Sequence, residues 1–551
     1  MYIGGPGGTG KSRVISALTD YFTQRDESRR LRLTSFTGIA AKNINGTTLH
    51  TALALSTSQK SGKKGNGKTN ADLIAMWTGV DYLFVDEVSM IGCSLLLQIH
   101  EGLVVAKGRT EPFGGMSVIF AGDFAQLPPV SQVKLFSRAR SAKEATIFGL
   151  LLWRSVSTVI ILTEQMRQAG PENAPFVDML SRLRDGRCTQ EDFYLLNTRL
   201  LKNVLDDESP VLWRDAPMIV YSNAIKDAIN LQATLAFARR TGRRVNWYHA
   251  VDTYRGQPIE DSAIIDLLDR LPSNKTGGRL GALPLVLGMP VVITENFDVA
   301  GGVVNGSKGI LRKARYRVGG DGKRYLTSCI VELPDLTGDP LPNLPPAFVA
   351  VLPNETEMKS LRHPNSGRTC TLRRHQVPLD AAFAITAHKS QGQTISRVVV
   401  DLNSCIGTEA AYVMISRCTS LGGLAVLRPF PISKITIHRS QEARDEFRRL
   451  DLLRTQTTAA SGSGAPIPGE EGDNNHVSDI STLFSSEGDG AAAKELLDNI
   501  CRAPRKNGNC LHLPHPADYL NMTTFAAHLN KRSSEELAAE HRRAHKRMRR
   551  R

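Results

Sequence analysis

Residues Gly5-Pro6-Gly7-Gly8-Thr9-Gly10-Lys11-Ser12 satisfy the pattern G-x-x-x-x-G-K-[ST], with apolar Met1-Tyr2-Ile3 before them and a helix-forming stretch after them. The pattern dictates a strand, a tight glycine loop and a helix. In such a loop the backbone N–H groups of Gly5, Gly7, Gly8, Thr9 and Gly10 converge on phosphate oxygens, aided by the helix N-terminus. Lys11 is expected to reach the β and γ phosphates and the Ser12 hydroxyl to bind Mg2+, so the predicted ligands are ATP and Mg2+.

A nucleotide hydrolase also needs a carboxylate at the end of a second buried strand. The stretch "DYLFVDEVSM" supplies one, with Leu83, Phe84 and Val85 running into Asp86 and Glu87. Asp86 is expected to hold Mg2+ and Glu87 to deprotonate the attacking water. A third strand, "MSVIFAGD", continues into "FAQLPPV", where Gln126 suits sensing a γ-phosphate or its water and Pro128 and Pro129 stiffen the loop. Read alone, Gln126 is an ordinary surface glutamine.

Short apolar runs alternate with helical patterns up to about residue 170, which suits strands buried on both faces of a parallel sheet. The ten residues "PLVLGMPVVI" read as one buried strand, and no apolar run approaches membrane-spanning length. From about residue 284 to 375 strands appear between Gly, Asn and Pro turns, predicting a small inserted β module. "STSQKSGKKGNGKTN" reads as an exposed loop. Residues 456–493, rich in Ser, Gly, Ala and acid, read as disordered.

Charge is uneven along the 551 residues. Residues 455–500 carry eight Asp/Glu against one Lys, the last 21 residues nine Lys/Arg against three Glu, and residues 1–454 retain +14 of the net +15. The basic character therefore belongs to the folded part, and a polyanion fits as partner. The terminal Arg/Lys cluster reads as a nuclear-targeting signal, a nucleic-acid arm or a solvated tail. Eight scattered cysteines without a C-x-x-C pair, and an N-terminus without a secretory pattern, predict reduced thiols in an intracellular protein.

The segments "GGPGGTGKS", "TSFTGIAAKNINGTTLHTAL", "VDEVSM", "PFGGMSVIFAGDFAQLPPV", "LTEQMRQ", "PLDAAFAITAHKSQGQT" and "YVMISRCTS" follow one another in this order between residues 4 and 420. Together they resemble the PIF family of DNA helicases in helicase superfamily 1. The resemblance implies an α/β protein of two RecA-like P-loop domains with parallel sheets: residues 1–165, then 166–310 with 376–450. It places a small β-barrel-like insertion at 311–375; an acidic disordered linker at 455–500 and a basic tail at 501–551 would follow.

By the same resemblance ATP lies between the domains, single-stranded and forked DNA are the partners, and movement is 5′ to 3′. Arg167 and Arg417 would be cationic fingers on the γ-phosphate. Gly392 and Gln393 would lie near the nucleotide. Thr37, His50, Thr386, His388 and Lys389 would approach the DNA backbone, and Phe36 would stack on a base or sit in the core. Arg362, Arg368, Arg373 and Arg374 would be strand contacts or a solvated basic loop.

Implied roles are DNA repair, recombination and telomere maintenance, in the nucleus or alternatively the mitochondrion. Family members carry a glutamine-containing adenine contact and a fuller first strand upstream of the phosphate loop, and neither stands in this sequence. The expectation is weakened nucleotide affinity and a poorly held first strand. Two other readings follow, a non-catalytic DNA-binding remnant, as from a mobile element, and a translocase that unwinds poorly.

Overall fold

The computed structural model describes residues 1–462 apart from 56–69, 138–142, 300, 335, 337–341 and 364. The loop predicted around residues 56–70 and all of 463–551 lie outside the described residues, save for Asn70 itself.

A six-stranded, wholly parallel sheet occupies the N-terminal third. Its order is Thr47–Thr48, Leu31–Ser35, Tyr82–Asp86, Ser117–Gly122, Tyr2–Gly4 and Val159–Ile161. The strand Tyr2–Gly4 has partners on both sides, and Tyr2 and Ile3 are buried. Tyr2 packs within 5.6 Å, centroid to centroid, of both Phe124 and Trp153. The first strand is thus an interior strand of the sheet, with its tyrosine in the core. Helices Lys11–Thr23, Cys93–Lys107 and Glu144–Arg154 accompany the sheet. With both faces covered, strands such as Leu83-Phe84-Val85 are continuously apolar rather than alternating.

A second parallel sheet runs Ala384–Thr386, Met218–Val220, Val398–Val400, Leu424–Val426. Helices Ala174–Asp185 and Gly407–Ile415 share its core. Between Met218–Val220 and Ala384–Thr386 the chain builds antiparallel sheets. One of five strands runs Phe348–Val351, Arg324–Glu332, Lys308–Val318, Pro290–Ile293, Leu379–Ala381; one of four runs Gln257–Pro258, Val251–Tyr254, Thr369–Gln376, Asn354–Arg362.

Antiparallel structure begins at Asn246 rather than at 284 or 311: Asn246–His249 pairs with Ala282–Leu285, and Val251–Tyr254 pairs with Thr369–Gln376, more than a hundred residues away. No local turn signal announces so distant a pairing. The run "PLVLGMPVVI" is two strands, Ala282–Leu285 and Pro290–Ile293, turned at Gly288 with φ 86°.

The helix Gln441–Gly462 returns to the first sheet, where Glu446 Oε1 accepts from Trp153 Nε1 at 2.8 Å and Thr457 Oγ1 accepts from the Val159 N–H at 3.1 Å. Residues 455–462 belong to this helix and not to a linker. Composition alone hid that, since Thr and Ala there pack against a strand far away in sequence. Among the described residues no helix is long and apolar enough to cross a membrane.

Candidate nucleotide and nucleic-acid site

The strand Tyr2–Gly4 delivers the chain to the glycine loop at the C-terminal edge of the first sheet. Gly10 stands before the helix Lys11–Thr23 in the left-handed region, φ 85°, and no side chain caps the helix. Its first N–H groups therefore point at an open anion position. Gly8, φ 95°, is pressed against the segment Gln165–Arg167: its carbonyl accepts from the Met166 N–H at 2.9 Å, and a Cβ placed there would lie 2.3 Å from Gln165 Oε1. Lys11 Nζ is folded onto its own loop, donating to Gly5 O at 2.7 Å and Pro6 O at 2.9 Å. Burial lowers its pKa, opposed by Asp123, Glu87 and Asp86. Ser12, in the first turn, is exposed.

Asp86 ends the strand Tyr82–Asp86, and burial, then the neighbouring Glu87 charge, push its carboxyl up to about 7. Glu87 turns out of the sheet in the left-handed region, φ 58°, unusual for a residue with a Cβ. It is 9% exposed. Its Oε2 accepts from Gln391 Nε2 at 2.7 Å. Gln126, far from being a surface glutamine, is 4% exposed with its Oε1 unpartnered.

Three polar groups meet above Gly7. A Cβ placed on that residue would lie 3.1 Å from Arg417 Nη2, 3.5 Å from Arg167 Nη1 and 3.6 Å from Gln126 Nε2. Arg417, 1% exposed, donates from Nε to Val413 O at 2.9 Å and from Nη2 to Ser416 Oγ at 3.0 Å. Arg167 donates from Nη1 to Ser416 O at 2.9 Å and from Nε to Thr394 Oγ1 at 3.0 Å. Burial, then the Arg417 charge, lower Arg167 to about 10; burial lowers Arg417 as well. A buried and a half-buried guanidinium thus face one point, and the ion pairs among the described residues include neither. Glu87 acts on both through space, without a direct ion pair.

Phe36 and Thr37 follow the strand Leu31–Ser35. Thr37 Oγ1 caps the helix Gly38–Asn43 by accepting the Ala40 N–H at 3.2 Å, and half-buried Phe36 packs on the core with its ring centroid 6.0 Å from His50. Thr386 ends its strand and is buried, and His388 and Lys389 lie on the short helix Ala387–Ser390. Burial lowers the pKa of His50, His388 and Lys389. Both groups therefore sit at C-terminal strand ends, the crevice side of an open α/β sheet.

Gly392 comes beside Glu87, a Cβ there falling 3.5 Å from its Oε1. The amide of Gln393 is taken by Lys308 Nζ at 3.1 Å and Lys389 O at 2.7 Å, so the glutamine that reaches the carboxylates is Gln391. Arg374 is no strand contact: fully buried, it grips Asp252 with two hydrogen bonds of 2.8 and 2.7 Å. Arg362, Arg368 and Arg373 are exposed.

The profile of the family described as PIF1-like helicase matches residues 1–193. The ATP-dependent DNA helicase PIF1 of Emericella nidulans is 28% identical over 473 residues, covering 80% of this chain and 59% of that protein. Its Homo sapiens counterpart is 27% identical over 78% of this chain and 58% of its own length. Among solved structures, Pif1 helicase from Candida albicans is 26% identical, TM-score 0.54, over 82% of this chain and 95% of that one. The chain is thus similar to PIF1-like helicases in its first 193 residues and to PIF1 helicases over about four fifths of its length. It spans a little under three fifths of the length of these curated relatives. The Bacteroides Pif1 crystallised with ADP-AlF3 and single-stranded DNA shares the fold, at 22% identity and TM-score 0.58 over 82% of this chain and 93% of that one.

Several site residues escaped sequence reasoning. The Gly7 N–H donates to the Tyr412 hydroxyl at 2.9 Å, which donates to Asp123 Oδ2 at 3.2 Å; Arg184 grips the same carboxylate at 3.1 and 2.8 Å. Burial alone would raise Asp123, but the Arg184 guanidinium holds it below the usual carboxylate range. Tyr412 stands in the apolar run "AAYVMI", where it reads as core. Only the juxtaposition of residues 7, 123, 184 and 412 gives it a role.

Proposed function

We propose that the chain is an ATP-driven DNA helicase, translocating 5′ to 3′ on single-stranded DNA. Its two parallel-sheet units are read as RecA-like domains with nucleotide between them, and its antiparallel sheets as the inserted barrel-like module. The observation that carries the reading is the meeting of Arg417, Arg167 and Gln126 above Gly7, beside Lys11 and the Asp86–Glu87 pair. Two guanidiniums without a direct ion pair, at a glycine loop and an uncapped helix, fit a polyphosphate better than any neutral ligand. The relatives named for ATP-dependent DNA helicase activity point the same way.

Ser12 and Asp86 would hold Mg2+. The fit rests on Asp86: a carboxyl pushed up to about 7 by burial and its acidic neighbour is a group that a divalent cation would return to the charged state. When bound, the ion would neutralise phosphate charge. The rest of the chemistry belongs to the chain. Glu87 takes a proton from the attacking water as its oxygen bonds to the γ-phosphorus and the bond to the ADP oxygen breaks. Lys11, Arg167 and Arg417 stabilise the charge that develops, and Gln126 orients the water. Lys11 and Arg417 come from different sheets, so nucleotide binding draws the two together and hydrolysis releases them. Thr37, His50, Thr386, His388 and Lys389 grip the strand's phosphates on either side, with Phe36 placed beside a base. Repair, recombination and telomere maintenance, in the nucleus or the mitochondrion, are the roles this activity serves.

The test is steady-state ATP hydrolysis with and without a single-stranded oligonucleotide, beside Lys11→Ala. Turnover stimulated by DNA and reduced by about 100-fold or more in the variant is expected. Oligonucleotide binding without turnover would overturn the motor reading.

A further inference from the structure

Glu87 and the segment Ala384–Gln391 stand 304 residues apart and meet through a single side chain. Gln391, 4% exposed, donates from Nε2 to Glu87 Oε2 at 2.7 Å and to Ser89 Oγ at 3.3 Å. The opposite amide orientation would turn a carbonyl onto a carboxylate, so the donating face is fixed toward Glu87. Its Oε1 is buried without a partner. Gly392, φ 80°, then lets the backbone pass close enough that a Cβ would lie 3.5 Å from Glu87 Oε1.

Gln391 also follows directly on the helix Ala387–Ser390, which carries His388 and Lys389, itself placed by the strand Ala384–Thr386. That segment is tied into the second sheet by Asn230, which donates to Ala381 O and Ala384 O and accepts the Ala384 N–H. The strand end at Thr386 therefore stands five residues from a hydrogen bond on Glu87. The Glu87 backbone is in a sparsely populated region, and among the described residues Gln391 is the side-chain donor to its carboxylate.

We propose that Gln391 is a positioning residue that holds the Glu87 carboxylate in its reacting orientation and transmits to it the state of the Thr386–Lys389 segment, so that DNA bound there accelerates hydrolysis. The proposal rests on the reading of Glu87 as the base.

The experiment measures ATP hydrolysis by the full chain, with and without single-stranded oligonucleotide, for the unmodified protein, Gln391→Ala, Gln391→Glu and Glu87→Gln. Oligonucleotide affinity is read by fluorescence anisotropy and folding by circular dichroism. Gln391→Ala is expected to lower DNA-stimulated kcat by about 10- to 100-fold, since a misplaced reacting group costs on that order, while KM for ATP and DNA affinity stay within about threefold. Turnover without DNA falls less, so the stimulation ratio collapses.

Gln391→Glu keeps the shape and sets two carboxyls against each other. Its DNA-stimulated kcat is expected to fall at least as far as in Gln391→Ala, again with KM for ATP and DNA affinity within about threefold, a split that loss of packing would not produce. An unchanged stimulation ratio in Gln391→Ala, or a loss of ATP and DNA affinity in step with kcat, overturns the proposal alone. Absence of DNA-stimulated turnover in the unmodified chain, or its survival in Glu87→Gln, overturns the helicase reading and this proposal with it.

Discussion

Arg374 and Arg417 are both fully buried, yet they sit in opposite electrostatic settings. In the antiparallel region Arg374 is clamped to Asp252 by two hydrogen bonds and also donates to Arg279 O at 3.1 Å. Above Gly7, Arg417 donates to a carbonyl and a hydroxyl, but to no carboxylate. A buried cation with a carboxylate partner is part of the scaffold. A buried cation without one stores a charge for something not yet there. The cost of burying either is large, so the second arrangement has to be held by the surrounding structure. Here the helix Gly407–Ile415 and the Arg184–Asp123–Tyr412 network do the holding.

The largest expected effect is on the cleft side. Arg417→Ala should reduce DNA-stimulated ATP hydrolysis by about a thousandfold, equivalent to about 4 kcal/mol of transition-state stabilisation. Its unfolding midpoint in urea should hold or rise, because an uncompensated buried charge has been removed. Next comes Arg374→Ala, expected to lower stability by about 3 to 5 kcal/mol, because Asp252 is stranded without its partner. Equal destabilisation by the two variants in urea titrations would break the comparison.

The smallest effect sharpens it from the acidic side. Asp86 is the anionic counterpart of Arg417, raised from 3.8 to about 7 by burial and by Glu87. The folded state holds this proton more tightly than the unfolded chain, so between about pH 4 and pH 7 the Asp86 contribution to stability falls as pH rises. Asp86→Asn should flatten that slope in melting temperatures measured across the window without added nucleotide. An unchanged slope would show that Asp86 titrates normally. By contrast Asp401, held by Arg428 at 2.9 and 3.0 Å, already has its partner.

How much was legible beforehand differs by residue. Lys11, Asp86 and Glu87 stand in contiguous motifs whose local strand and loop geometry follows from a few neighbours. The buried strands were readable because covering both faces forces an unbroken apolar run. Gln126 was singled out by its motif, although alone it read as a surface residue. Arg374 was misjudged because an arginine in an exposed-looking strand carries no mark of the Asp252 that waits 122 residues earlier. Gln391 was passed over for the same reason: nothing local in "KSQGQT" shows that this glutamine faces Glu87.

Local rules therefore set the phosphate loop, its flanking strand and helix, the acidic pair and the basic character of residues 1–454. Tertiary structure decided the partners: Gln391 on Glu87, Tyr412 between Gly7 and Asp123, and two arginines left facing a point with no carboxylate. The physical reason is range. Backbone geometry is fixed by residues a few positions apart, whereas the worth of a buried charge or hydrogen bond depends on what the fold brings to it from hundreds of residues away.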